Sequence, residues 1–106
     1  MDTRTIKITG TETIEIRPLN TFWRRRHEKN LEKFGIKAGT SESGAEMVRV
    51  LLVSWVKDGK DLVTMLTREG LLDEISQYDS LIVRTLKEAS AFSEELGARY
   101  ESDQKN

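Results

Sequence analysis

The stretch Glu46-Met47-Val48-Arg49-Val50-Leu51-Leu52-Val53-Ser54-Trp55-Val56 decides the fold. Eight of its eleven residues are large and apolar, and within the run only Arg49 and Ser54 interrupt. A segment apolar on nearly every side has no face to give to water, so the other pieces should pack around it. Burying eight such side chains contributes roughly 12 to 24 kcal/mol, as a gross upper bound. Its four valines also suit a buried strand. The flanks favour a helix: Ser43-Gly44-Ala45-Glu46 has a capping-box spacing, and Gly59 after Lys57-Asp58 is a suitable C-terminal stop. The reading is a core helix over residues 43–58. At about four turns it is too short to cross a bilayer.

Upstream, Thr5-Ile6-Lys7-Ile8-Thr9 and Thr13-Ile14-Glu15-Ile16-Arg17 alternate apolar and polar residues, the pattern of strands with one buried face. They predict a β-hairpin over residues 5–17, closed by Pro18, which cannot donate to a ladder. A two-residue Gly10-Thr11 turn would pair Ile8 with Thr13 and place Ile14 beside Lys7, putting the isoleucines on opposite faces. Pairing Ile8 with Ile14 and Ile6 with Ile16 puts all four on one face and requires a loop of three or five residues. Asn20 or Thr21 then caps a helix over 21–34, with Gly35 as its stop. Trp23, His27, Leu31 and Phe34 fall within about 80° of arc and form its core face. Arg25, Arg26, Lys29 and Lys33 form a basic stripe on another side, with Phe22 among them.

Residues 36–43 read as a loop, and 61–76 as short helical pieces bent near Gly70. Asp79 or Ser80 caps a last helix over 80–100, with Ile82, Leu86, Ala89, Phe92, Leu96 and Tyr100 on one face. Gly97 is a point at which that helix can end early, and 101–106 read as a frayed tail. The expected architecture is a single domain over 1–106, α+β but mainly α. In it an N-terminal β-hairpin packs on a compact bundle of about four helices with a buried central helix.

With 17 basic and 18 acidic residues the chain has no global field that marks a nucleic-acid or membrane binder. The charge is uneven, however. Residues 20–37 hold six basic groups against Glu28 and Glu32, a balance of +4, while 69–106 hold nine carboxylates against four basic groups, a balance of −5. The two regions can attract each other within a monomer or between subunits of a homo-oligomer. The absence of cysteine removes disulfides, thiol catalysis and cysteine metal sites. Residues 1–10 lack the apolar core of a signal peptide, and a cytoplasmic location is expected.

Catalytic chemistry finds little support. His27, the only histidine, lies on an apolar helix face without a nucleophile or orienting carboxylate at helical spacing, and reads as a packed residue. Asp73-Glu74 and Glu94-Glu95 are adjacent in sequence and diverge on a helix. No phosphate loop, nucleophile elbow, HExxH or calcium loop is present. The expectation is a non-enzymatic protein with no cofactor and no metal site. The run Arg24-Arg25-Arg26-His27-Glu28-Lys29 is the most suggestive feature. Nucleic-acid binding through it is the lesser alternative, because Glu28 and Glu32 share the helix and no second basic helix follows.

The order of parts resembles a known family. A short hairpin ending in Ile14-Glu15-Ile16-Arg17-Pro18-Leu19 leads at once into an amphipathic helix and then a compact helical domain. This is similar to the small tail assembly chaperones of long-tailed bacteriophages and prophages. The resemblance in pattern covers residues 5–34, and it transfers no catalytic residue. It implies a non-enzymatic protein that shields the tape-measure protein and helps tail-tube subunits assemble on it. On that reading Phe22, Arg25, Arg26, Lys29 and Lys33 are the partner-binding candidates. The alternative is a small helical regulator or nucleic-acid-binding adaptor using the same helix.

Overall fold

The computed structural model describes residues 2–105. In chain order the elements are β1 (Arg4–Thr9), β2 (Glu12–Ile16), α1 (Thr21–Phe34), α2 (Ser41–Leu51), β3 (Leu52–Lys57), β4 (Lys60–Asp61), α3 (Leu62–Met65), α4 (Arg68–Ser76) and α5 (Asp79–Lys105). The fold is α+β and mainly helical, as expected. Its sheet is larger than a hairpin: four antiparallel strands in the order β1-β2-β3-β4.

The decisive stretch is a helix for its first half and a strand for its second, which corrects the reading of a continuous buried helix. α2 starts one turn earlier than Ser43 is placed by the S-x-x-E pattern, with Thr40 as N-cap in a reciprocal capping box with Ser43. It ends at Leu51, and the chain turns extended at Leu52. β3 then pairs with β2, Ile14 opposite Trp55 and Glu15 opposite Ser54. The ladder slips by one residue between Ser54 and Leu52, leaving Val53 as a bulge. That bulge lets Leu52 and Trp55, three apart, both enter the core. A spacing of three is what a helix would give, so the bulge imitates helical periodicity in the sequence. Downstream, Asp58 and Gly59 both have positive φ, 51° and 79°. They form the tight turn between β3 and β4, the Asp-Gly hairpin signal, instead of a helix stop.

The N-terminal hairpin forms, with a register two residues from the expected one. Ile6 faces Ile14, Arg4 faces Ile16, and Thr9 faces Glu12 across a two-residue Gly10-Thr11 turn. An irregularity between Lys7 and Thr9 takes up Ile8, which restores one apolar face without a longer loop. Ile6, Ile14 and Ile16 are buried in the core with Ile8 packed against it. Ala45, Val48 and Leu51 of α2, Leu71, Leu72 and Ile75 of α4, and Leu81 and Ala89 of α5 complete that core. The outer sheet face is polar, with Thr5 and Lys7 exposed.

Two further expectations change. The break in the 61–76 region falls at Leu66 and Thr67, and Gly70 sits in the first turn of α4 where Thr67 Oγ1 caps its N–H at 3.1 Å. α5 continues through Gly97 to Lys105, beyond the expected end at residue 100, so 101–105 are helical; Asn106 lies outside the described residues. No helix among the described residues is long and apolar enough to cross a membrane.

Candidate functional site

α1 has the bounds the sequence predicts. Asn20 Oδ1 accepts from the Trp23 N–H at 3.1 Å, and Gly35 closes the helix in the left-handed region at φ 65°. The junction before it is anchored by the Leu19 N–H to the Ala89 carbonyl at 3.0 Å. None of its side chains is fully buried, and its inner face combines apolar and polar contacts. His27 Nε2 lies 2.9 Å from the Ser43 carbonyl, so the proton sits on Nε2. Asn30 Nδ2 donates to Glu46 Oε1 at 3.2 Å. Trp23 and Leu31 are half-buried, whereas Phe34 is exposed and leaves the predicted core face.

Four of the five candidate residues come together. Phe22, Arg25, Arg26 and Lys29 line one hollow of ≈ 440 Å³ on the outer side of α1. Lys33 does not line it; its Nζ lies 5.3 Å from the Phe34 ring instead. Phe22 is 55% exposed and meets Trp23 edge to face at 4.8 Å, with Arg26 at 6.0 Å from its ring. Among the described residues, no cation of α1 forms an ion pair. Their charge is open to a partner.

On the other side of Arg26 lies a second, larger feature that sequence reading missed. A cleft of ≈ 460 Å³ is lined by Arg17, Arg26, Arg49 and Arg68 together with apolar side chains that include Leu52 and Leu66. These arginines come from four different elements or junctions and share no sequence spacing. Arg17 follows β2, Arg49 looks like a mere interruption of an apolar run, and Arg68 opens α4. Only tertiary packing of these elements brings them together.

At the base of this cluster Glu46 is fully buried. Its Oε2 accepts from Arg49 Nε at 3.0 Å and Arg68 Nη2 at 2.9 Å, and its Oε1 accepts from Arg49 Nη2 at 2.6 Å as well as from Asn30. Burial alone pushes the Glu46 carboxyl up. The hydrogen bonds from Arg49 and Asn30 and the charges of Arg49 and Arg68 outweigh it, and the group ends below its ordinary value. Arg68 also donates to Glu69 at 2.5 Å and lies 3.4 Å above the Phe34 ring. Its Nε is buried with no acceptor among the described residues. Arg17 Nη1 donates to the Val50 and Leu52 carbonyls at 2.9 and 3.1 Å, and its guanidinium stacks 4.6 Å from Trp23. Burial lowers the Arg17 pKa, against the charge of Glu15, without removing the proton at any ordinary pH.

Among the described residues no three histidine or carboxylate groups converge as metal ligands. Comparison of the chain with protein-family models, with curated proteins and with solved structures returns no match. Function is therefore argued from the site itself.

Proposed function

We propose that this protein is a non-enzymatic assembly chaperone of the phage-tail type, working in the host cytoplasm and binding the tape-measure protein, the tail-tube protein or both. The observation that carries the reading is the outer face of α1, where a more than half-exposed Phe22 stands among Arg25, Arg26 and Lys29, none of them ion-paired within the described residues. A chaperone needs contacts that form and release repeatedly. An exposed aromatic supplies apolar area at low ordering cost, and flexible cations set orientation and on-rate without a deep, slow-dissociating interface. The hairpin, the Pro18-Leu19 junction and the immediately following helix support the family resemblance.

Co-expression with a tape-measure protein tests it. The chaperone should co-purify with that protein and keep it soluble, and the double variant Arg25→Glu, Lys29→Glu should lose both effects. The unpaired cations also suit the lesser alternative, a nucleic-acid adaptor using the same helix. DNA or RNA affinity that falls steeply with salt, and disappears in the same double variant, would support the adaptor and displace the chaperone.

A further inference from the structure

We infer that the cleft between α1, the α2–β3 junction and α3–α4 is a docking site for an acidic amphipathic peptide segment, with carboxylates on Arg17 and Arg26 and an apolar side chain against the half-buried Val63 and Leu66. The inference rests on the reading of α1 as a partner-binding surface and adds the chemistry of the partner.

Donor accounting selects these two arginines. Arg49 is committed to Glu46 through two nitrogens. Arg17 uses only Nη1, on two backbone carbonyls, and its side chain makes no other hydrogen bond among the described residues. Arg26 makes no side-chain hydrogen bond there at all, only its contact with the Phe22 ring. Arg68 is likewise committed, Nη2 to Glu46 and Nη1 to Glu69, and its Nε is buried out of reach of a ligand. Planar forks with spare N–H groups are suited to carboxylates, which they can hold through two parallel bonds. The charge balance points the same way. Around the cleft and the adjoining hollow stand Arg17, Arg25, Arg26, Lys29, Arg49 and Arg68, against Glu15, Glu46 and Glu69.

The apolar part of the lining decides between a peptide and a polyphosphate. Phosphates and nucleic-acid backbones use cations on an open surface and gain nothing from aliphatic side chains beneath them. Here the half-buried Val63 and Leu66 line the same cleft as the arginines, backed by the buried Val50, Leu52 and Leu71. A cleft lined by both cations and aliphatic side chains complements one face of a helix carrying leucine flanked by glutamates three or four positions away. Arg26 lines both the cleft and the Phe22 hollow, so one segment can run from the exposed ring into the cleft.

The test uses the full chain and a fluorescein-labelled helical peptide roughly 16 residues long, built of Glu, Ala and Leu with the leucines aligned on one face. Fluorescence anisotropy should show binding that weakens with added salt. Arg26→Glu should weaken it about tenfold or more, while Lys87→Glu, on the exposed side of α5, leaves it unchanged. Arg26 makes no hydrogen bond that the fold needs, and circular dichroism checks that the variant is folded. A peptide with Lys in place of Glu, one with the leucines scattered, and an oligothymidylate serve as competitors. The inference is overturned if Arg26→Glu binds as well as Lys87→Glu, if the lysine or scattered peptide binds equally, or if the oligothymidylate binds more tightly. Co-purification with a tape-measure protein alongside failure of the peptide removes the cleft and keeps the chaperone reading. Peptide binding without that co-purification keeps the cleft and removes the named client.

Discussion

Replacing Glu46 by glutamine keeps the shape of the side chain and removes its charge at the point where α1, α2 and α4 meet. The structure sets the cost. Each carboxylate oxygen accepts two hydrogen bonds, three of the four from Arg49 and Arg68. A glutamine amide nitrogen in place of either oxygen turns two acceptor contacts into donor facing donor. Charge-assisted bonds contribute about 1.5 to 3 kcal/mol each, and removing one side of a buried pair costs about 3 to 5 kcal/mol. At roughly 4 °C or more per kcal/mol for a domain of this size, Glu46→Gln should lower Tm by on the order of 15 °C. Thermal unfolding followed by circular dichroism at neutral pH measures it. The pH dependence gives a second readout. The folded-state pKa of Glu46 is depressed, so its stabilisation is fully present above the unfolded value near 4.3 and is lost as pH falls from there through the folded pKa. Below about pH 4 the wild type should converge toward Glu46→Gln. A variant with wild-type Tm at pH 7, or a stability gap that does not close in acid, would refute the reasoning.

Three other outcomes follow from single contacts. Thr85 is fully buried and its Oγ1 has no partner among the described residues, so Thr85→Val removes an unsatisfied hydroxyl at constant shape; urea unfolding should show a gain of about 1 to 2 kcal/mol. Gly59→Ala forces a Cβ into φ 79° in the β3–β4 turn and should cost about 1 to 2 kcal/mol by the same assay, with no steric clash to add to it. Arg25→Glu with Lys29→Glu changes exposed side chains without ion pairs, so Tm should stay within about 2 °C of wild type while partner binding is lost.

Local signals in the sequence carried the elements that depend on local chemistry. Asn20 and Gly35 fix both ends of α1, and the alternating isoleucines fix the strands of the first hairpin. Bulges defeated periodicity. The Ile8 irregularity makes a two-residue turn compatible with one apolar face, and the Val53 bulge gives a strand the three-residue spacing of a helix. The Asp58-Gly59 pair was the legible counter-signal, since two successive positive-φ positions suit a hairpin turn and not the middle of a helix end. The hollow around Phe22 was readable because all its cations lie on one helix at helical spacing. The arginine cleft was not, because Arg17, Arg49 and Arg68 are distant in sequence and converge only through tertiary packing, Arg49 and Arg68 on Glu46 and Arg17 on the Val50 and Leu52 carbonyls. A glutamate at the head of an apolar run is the one local hint, for a carboxylate that enters a core must bring its cations with it.

The central claim is that the basic, aromatic face of α1 engages a tail-assembly client. Co-purification of a co-expressed tape-measure protein with the wild-type chain and with the Arg25→Glu, Lys29→Glu variant tests it most directly. The account predicts a soluble complex with the wild type and an insoluble, unaccompanied client with the variant. Equal recovery of the client with both chains, or with neither, would contradict it.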